Sequence, residues 1–401
     1  MVPFTLDLLR GGYFFSLDHP FNGCHHSHND DKSHQASSRV DMKLKIRFYL
    51  YTGILLTVFF LFFIAINTGC TGNNDDFPKS SGIQFVSDQA ALLSKAEKNH
   101  ITQLTSALLK DMDIHIMAVV LKESPKDIDN KAVQLFQKYG VGRTTNGSKG
   151  VLFLIDPLGK QVRIEIGYDL EPIFTDGFTG YIERRQMVPF FQANKAGPGI
   201  EATVELLVGK ALGKIKTSND AGLNYEPQNG QFLSGGGGAR VNVEIGSKSI
   251  EKEASLLSKQ YPAQPSVKDA LDKYIEILRL HIKDPNLGIY TPETRKFLSK
   301  WVVTDAQQDN ELQVINRTMP FAEIFTKDNL AVVMFAPDLR QASPFFLEKG
   351  NRGWMLDFAS MSKLIGFNHI NQWYLRQNNH KYLFGFKEVY FDKNGFPHKK
   401  K

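Results

Sequence analysis

Residues 48–66 read FYLYTGILLTVFFLFFIAI, without one charged side chain. A helix rises about 1.5 Å per residue, so a run of this length just spans a hydrocarbon core of roughly 30 Å and predicts a membrane-crossing helix. Lys43, Lys45 and Arg47 stand before it, and Asp75 and Asp76 after it, which orients the chain from inside to outside. Beyond a polar tether over 73–81 the apolar positions fall into shorter periods. Ser94-Lys-Ala-Glu97 is a capping box, and Ile101, Leu104, Leu108 and Leu109 share one helical face. Residues 113–121 read as a strand, and Ala132, Leu135, Phe136 and Tyr139 mark a second helix. Residues 151–155 are continuously apolar, as in a buried central strand, whereas 161–166 alternate with Val162, Ile164 and Ile166 inward. Helices over about 178–187 and 200–215 complete the order α-β-α-β-β-α-α. That order predicts an α/β sandwich over 84–216.

From 217 to 264 the texture turns to Asn, Gly, Ser and Gln, with glycine at every position from Gly235 to Gly238. A phosphate-binding loop would need a following Lys-Ser/Thr between a strand and a helix, so this stretch is expected to be a flexible linker. Residues 265–391 then place two helices (267–282 and 292–301) before short strands at 321–326, 330–336, 344–348 and 353–357. Helices first and an antiparallel sheet after predict a smaller α+β domain. Its aromatic residues Trp301, Phe345, Phe346, Trp354, Phe358, Trp373 and Tyr374 are expected to form core rather than line a pocket.

Met42-Lys-Leu-Lys, the apolar run and Thr68-Gly69-Cys70 have the three-part layout of an export signal. Ending on cysteine, it resembles a bacterial lipoprotein signal, in which the cysteine is lipidated; Asn67 stands where such signals carry an aliphatic residue. Two readings follow for 42–70: a cleaved signal leaving a lipid on Cys70, or an uncleaved anchor helix. Residues 1–41 hold five of the eleven histidines, with Cys24-His25-His26 and His28 close together. Without regular zinc spacing, this stretch reads as a disordered or untranslated leader ahead of Met42 rather than a metal-binding tail.

Composition narrows the chemistry. No cysteine follows Cys70, which excludes disulfides, a cysteine nucleophile and cysteine-ligated zinc beyond the anchor. The net charge of +6 is modest and suits an anionic membrane surface; no basic and aromatic constellation points to nucleic acid.

Val86-Ser-Asp88-Gln-Ala90-Ala-Leu92-Leu93-Ser94, Tyr139-Gly-Val-Gly142, Gly150-Val-Leu-Phe-Leu and Arg163-Ile-Glu-Ile-Gly167-Tyr168-Asp-Leu170-Glu171 together resemble the TPM domain family. That family's Gly-Tyr-Gly-Leu-Glu-Gly stands here as Gly167-Tyr168-Asp169-Leu170-Glu171-Pro172, so two positions that favour glycine's φ > 0 have lost it. The resemblance implies a domain outside the cytoplasm, tethered at a membrane. It also implies assembly or repair of membrane complexes through a membrane-protein partner, calcium binding in some members, and a phosphatase activity attributed to the family. For this chain it implies the bacterial cell envelope. In the C-terminal part, Gly353-Trp354-Met-Leu-Asp357 faintly resembles the nuclear-transport-factor-like cone fold.

Ligands of α/β sheets collect beyond the carboxyl ends of strands. Asp156 ends the central strand, the loop after Gly167 carries Asp169, Glu171 and Asp176, and the resemblance places Asp88 near that loop. Asp88, Asp156, Glu171 and Asp176 are therefore the expected ligands of a hard cation such as calcium. Each also has a structural alternative: Asp88 as a turn organiser, Asp156 at a hairpin, Asp176 as a helix cap. The leading expectation is a membrane-tethered accessory protein that binds a divalent cation and a membrane-protein partner. The alternative is a metal-dependent phosphomonoester hydrolase centred on the same carboxylates. Asp111-Met-Asp113 precedes a strand and reads as a turn. His100 and His115 are isolated and read as structural, and Arg143, Lys149, Arg184 and Arg185 read as solvated.

Overall fold

The structure is a computed structural model and describes residues 82–213, 238–247, 257–337, 340 and 342–400. The leader, the anchor over 48–66, Cys70 and the tether over 73–81 lie outside the described residues, so the expectations on them stand as made. No described helix is long and apolar enough to cross a membrane.

Strand β1 (Val86–Asp88) leads into helix α1 (Lys95–Met112), opened by the expected capping box: the Ser94 hydroxyl accepts from Glu97 N–H and the Glu97 carboxylate from Ser94 N–H. Asp113, left-handed at φ 56°, ends the helix and turns the chain into β2 (His115–Val120). Helix α2 (Ile128–Tyr139) starts on the Asp127 side chain and stops at left-handed Gly140. Strands β3 (Gly150–Asp156) and β4 (Gln161–Ile166) form a hairpin. Helix α3 (Asp176–Ile182), a π-helical turn (Glu183–Met187), α4 (Val188–Gln192) and α5 (Ala196–Ala211) follow.

The sheet runs β1-β2-β3-β4-β5, with β1 to β3 parallel and β4 and β5 antiparallel. Val151, Phe153, Ile155 and Ile164 face α1 and α5, while Leu152, Leu154, Met117 and Val119 face Ala132 and Leu135 of α2. Both faces are covered, which makes the expected α/β sandwich and explains why β3 is apolar throughout.

The fifth strand corrects the linker expectation. Residues Gly238–Asn242 are not part of a flexible linker; they form β5, paired with β4 so that Val162 lies opposite Val241. Ala239, Val241 and Val243 alternate with Arg240, Asn242 and Glu244, a period of two that the flanking glycines mask in composition. Gly238 itself has to be small, since a Cβ there would stand 2.4 Å from the Ile164 carbonyl oxygen.

After 257 the chain forms α6 (Val267–Arg279), α7 (Pro292–Leu298) and α8 (Asp305–Thr318), then an antiparallel sheet β6 (Glu323–Lys327), β7 (Leu330–Met334), β8 (Phe345–Gly350) and β9 (Gly353–Leu356) in sequence order. Its core is aromatic: Tyr274, Phe345 and Phe358 meet edge-on or tilted, and Phe346 stacks on Tyr382 at 4.4 Å. Phe345, Phe346, Trp354, Phe358 and Trp373 are buried as expected of core. Helix α8 is absent from the sequence expectation, because its exposed-looking sequence DAQQDNELQVINRT buries its polar side chains rather than an apolar stripe.

The described residues from Gln84 onward make one compact unit, in which the two sheets keep separate cores.

Candidate functional site

The four expected cation ligands do not converge. Asp88, its side chain buried, accepts from Leu92 N–H (3.0 Å) and Leu93 N–H (2.9 Å), with Lys98 at 3.5 Å. It organises the turn between β1 and α1. Asp156, 2% exposed, accepts from the Ser124 hydroxyl and from Gly159 N–H, both at 2.8 Å, and so shapes the β3–β4 hairpin. Asp176 accepts from Gly238 N–H at 2.9 Å and fastens the start of β5 to α3. Thr175, not Asp176, caps α3.

Topology divides these residues. Asp88 pairs with Val120, and Val120 with Ile155, so Asp88 and Asp156 sit at the carboxyl edge of the parallel strands. Strand β4 runs back, pairing Ile166 with Val151, and delivers the loop of Asp169, Glu171 and Asp176 to the opposite edge. At about 3.3 Å per residue the length of β3 separates the edges by roughly 20 Å. One cation with ligand distances near ~2.4 Å cannot bridge that gap. Among the described residues no three His, Cys, Asp or Glu side chains are grouped to hold a metal. The sequence expectation failed because it treated the end of β4 as if it pointed the same way as the end of β3.

The loop after β4 absorbs the two lost glycines without strain. Tyr168–Leu170 form a single 3-10 turn, and the Asp169 carboxylate accepts from Ser148 N–H at 2.7 Å. Gly167 is still required, since a Cβ would lie 2.1 Å from the Ser148 carbonyl oxygen. Asp111 and Asp113 are likewise occupied. Asp113 accepts from Asn146 N–H and pairs with Lys149 at 3.0 Å, which holds its carboxyl below the usual range, and Asp111 meets His369 at 2.6 Å. His115 is buried between the Gln84 carbonyl and Gly142 N–H, and burial lowers its pKa.

Residues 86–210 match the profile of the TPM domain family. This part of the chain is a TPM domain. The solution NMR structure of the N-terminal domain of a protein from P. gingivalis is similar at 24% identity, over 33% of this chain and 83% of that one, with a TM-score of 0.28. No curated protein matches the chain.

What the fold does assemble is a polar seam between the TPM domain and the C-terminal module. On the TPM side stand Tyr181 of α3, Arg185 and Gln186 of the π-helical turn, Phe190 of α4, and Ala202 and Glu205 of α5. Helix α8 lies against them. Tyr181 donates to Asp309 at 2.5 Å, Arg185 pairs with Asp305 at 2.6 Å, and the Thr304 hydroxyl donates to Gln186. Asp309 also meets His281 at 2.7 Å, and Asp305 meets Lys283. Asn371 donates to the Glu205 carbonyl at 3.0 Å. Trp301 closes the apolar part, edge-on to Phe190 at 5.9 Å and packed with Ala202. Trp301 therefore serves the junction rather than the core of its own module.

Electrostatically the seam is acid-rich and buried. Burial pushes Glu205 up to about 8, with repulsion from Glu311 adding to it. Within the TPM domain, burial also raises Glu183 and Glu201 well above the ordinary range; Glu183 accepts from Ile164 N–H at 2.8 Å, which opposes the shift. On the far face of β4, burial lifts Glu165 to about 7 against the opposing pull of Arg163. At Asp305 burial pushes upward too, but hydrogen bonding and charge from Lys283 outweigh it and hold the carboxyl low. The signals that could have revealed the seam were the capping spacing of Thr304 and Gln307 before a polar run, and Glu205 on an otherwise apolar helix.

Replacing Asp88 with alanine should cost about 1–2 kcal/mol by orphaning two buried N–H groups. Urea melts with calcium or chelator should show the same loss; a loss seen only with calcium would restore Asp88 as a ligand.

Proposed function

We propose that this chain is an accessory protein tethered at the outer face of a membrane, whose TPM domain and C-terminal module engage a membrane-protein partner as one rigid body. The seam is the observation that carries this reading. A catalytic centre needs acids and bases free to meet substrate, whereas here Asp88, Asp156 and Asp176 are committed to turns and strand ends. The charge-free run over 48–66, with basic residues before it, supports the tether. Asp88, Asp156, Glu171 and Asp176 do not fit a shared calcium site, and no step of the proposal passes through calcium.

The test is photo-crosslinking of the full-length protein in native membranes, with the crosslinker at Tyr168, which is 77% exposed on the loop after β4. A discrete membrane-protein adduct is the expected result. Phosphate release by the solubilised full chain, abolished by Asp156→Asn while the fold persists, would overturn the proposal in favour of the metal-dependent hydrolase.

A further inference from the structure

The antiparallel sheet of the C-terminal module has two edges, and among the described residues only one of them is closed. Strand β9 is covered by bridges from Gln264 to Trp354 and from Tyr290 to Leu356. Strand β6 has β7 on one side; among the described residues the backbone of Glu323–Lys327 makes no hydrogen bonds other than those of that ladder. Phe321 beside it is 72% exposed and Ile324 within it 47%. An open edge carrying exposed apolar side chains is a template for another strand.

The sequence of β6, Glu-Ile-Phe-Thr-Lys, says which strand fits. In an antiparallel pair of two copies centred on Phe325, each Glu323 lies opposite the other copy's Lys327, and each Ile324 opposite Thr326. The two-fold axis forms both ion pairs at once, which is the self-complementarity an isologous interface requires. Glu and Lys on an edge ordinarily guard it against pairing, because most incoming strands leave them unmatched. Here this one register matches them, and a register slipped by two residues does not. The outward N–H and C=O groups suit a symmetric pair whether Phe325 occupies a hydrogen-bonded or a non-hydrogen-bonded position, since a two-fold can sit at either.

We infer that β6 is a homodimerisation edge, joining the C-terminal sheets of two copies into one continuous antiparallel sheet. A contact of this kind buries less than ~1,200 Å², so the dimer is reversible, and tethering at a membrane raises the effective concentration that drives it.

Sedimentation equilibrium of the full-length chain in density-matched detergent tests this. The wild type should show a monomer–dimer equilibrium. Glu323→Lys and Lys327→Glu each turn both ion pairs repulsive and should weaken the dimer about tenfold. An equimolar mixture of the two variants should recover it as a heterodimer. One copy then carries lysine at both ends of β6 and the other glutamate at both ends, so each cross-strand pair is again of opposite charge. Both positions are exposed, and unchanged thermal melting of each variant would confirm the fold. A wild type that stays monomeric at hundreds of micromolar, or a mixture no tighter than either variant alone, overturns the inference.

Discussion

Raising the pH from about 4.5 to about 8 should progressively destabilise this protein, because burial favours the protonated carboxyls of Glu183, Glu201 and Glu205. In the unfolded chain the Glu205 carboxyl loses its proton near 4.5, whereas in the buried seam it holds it until about 8. Between those values the folded state binds more protons, so stability falls as pH rises, by about 1.4 kcal/mol per unit for each such group. The contribution is fully present below 4.5 and gone above the folded value. Summed over the window, it is on the order of several kcal/mol for Glu205, and Glu165, raised to about 7, adds a smaller share. Urea midpoints at pH 5 and pH 8 measure the effect. Glu205→Gln, which keeps the shape and removes the charge, should make the curve less steep and raise stability at pH 8. An equally steep curve in that variant would show that Glu205 is not among the groups responsible.

The second large effect concerns the junction itself. Trp301→Ala removes a side chain that is 3% exposed and packed on Phe190 and Ala202, and should cost about 3–5 kcal/mol. Because that packing joins two separate cores, the loss should also divide the unfolding. Calorimetry of the wild type is expected to show one transition for the TPM domain and C-terminal module together, and the variant two. A variant that still melts in one step, with less than about 1 kcal/mol lost, would mean that the polar contacts of α8 alone hold the halves together. Gln186→Ala would then be the more damaging change, since it strips the Thr304 hydroxyl of its acceptor in a buried site.

The outcome for each part of the molecule follows from where its stabilising contacts lie along the chain. Helix α1 was legible because Ser94 and Glu97 satisfy each other within one turn. The hairpin was legible because Asp156 and Gly159 are three residues apart and the strands alternate by twos. Such contacts are local, and a short window of sequence contains both partners. The TPM domain as a whole was legible for the same reason repeated: its motifs follow one another in order along a single sheet.

Other features depended on partners far apart in sequence. The direction of β4 relative to β1 and β3 decides whether Asp88 and Glu171 can share a ligand, and strand direction is a property of the sheet, not of either segment. Strand β5 is held by a partner more than seventy residues earlier, and its glycine-rich approach resembles a linker until Arg163 is seen opposite Arg240. Helix α8 looks like a solvated polar helix because its partners Tyr181, Arg185 and Gln186 lie in another part of the chain; only their approach makes burial of Thr304 and Asp305 tolerable. Sequence alone thus determined the local elements other than β5 and α8, the α/β and α+β classes and the family of residues 86–210. The tertiary structure decided which carboxylates meet, which strand edge stays open and where the two halves join, because burial and long-range pairing set the energies there.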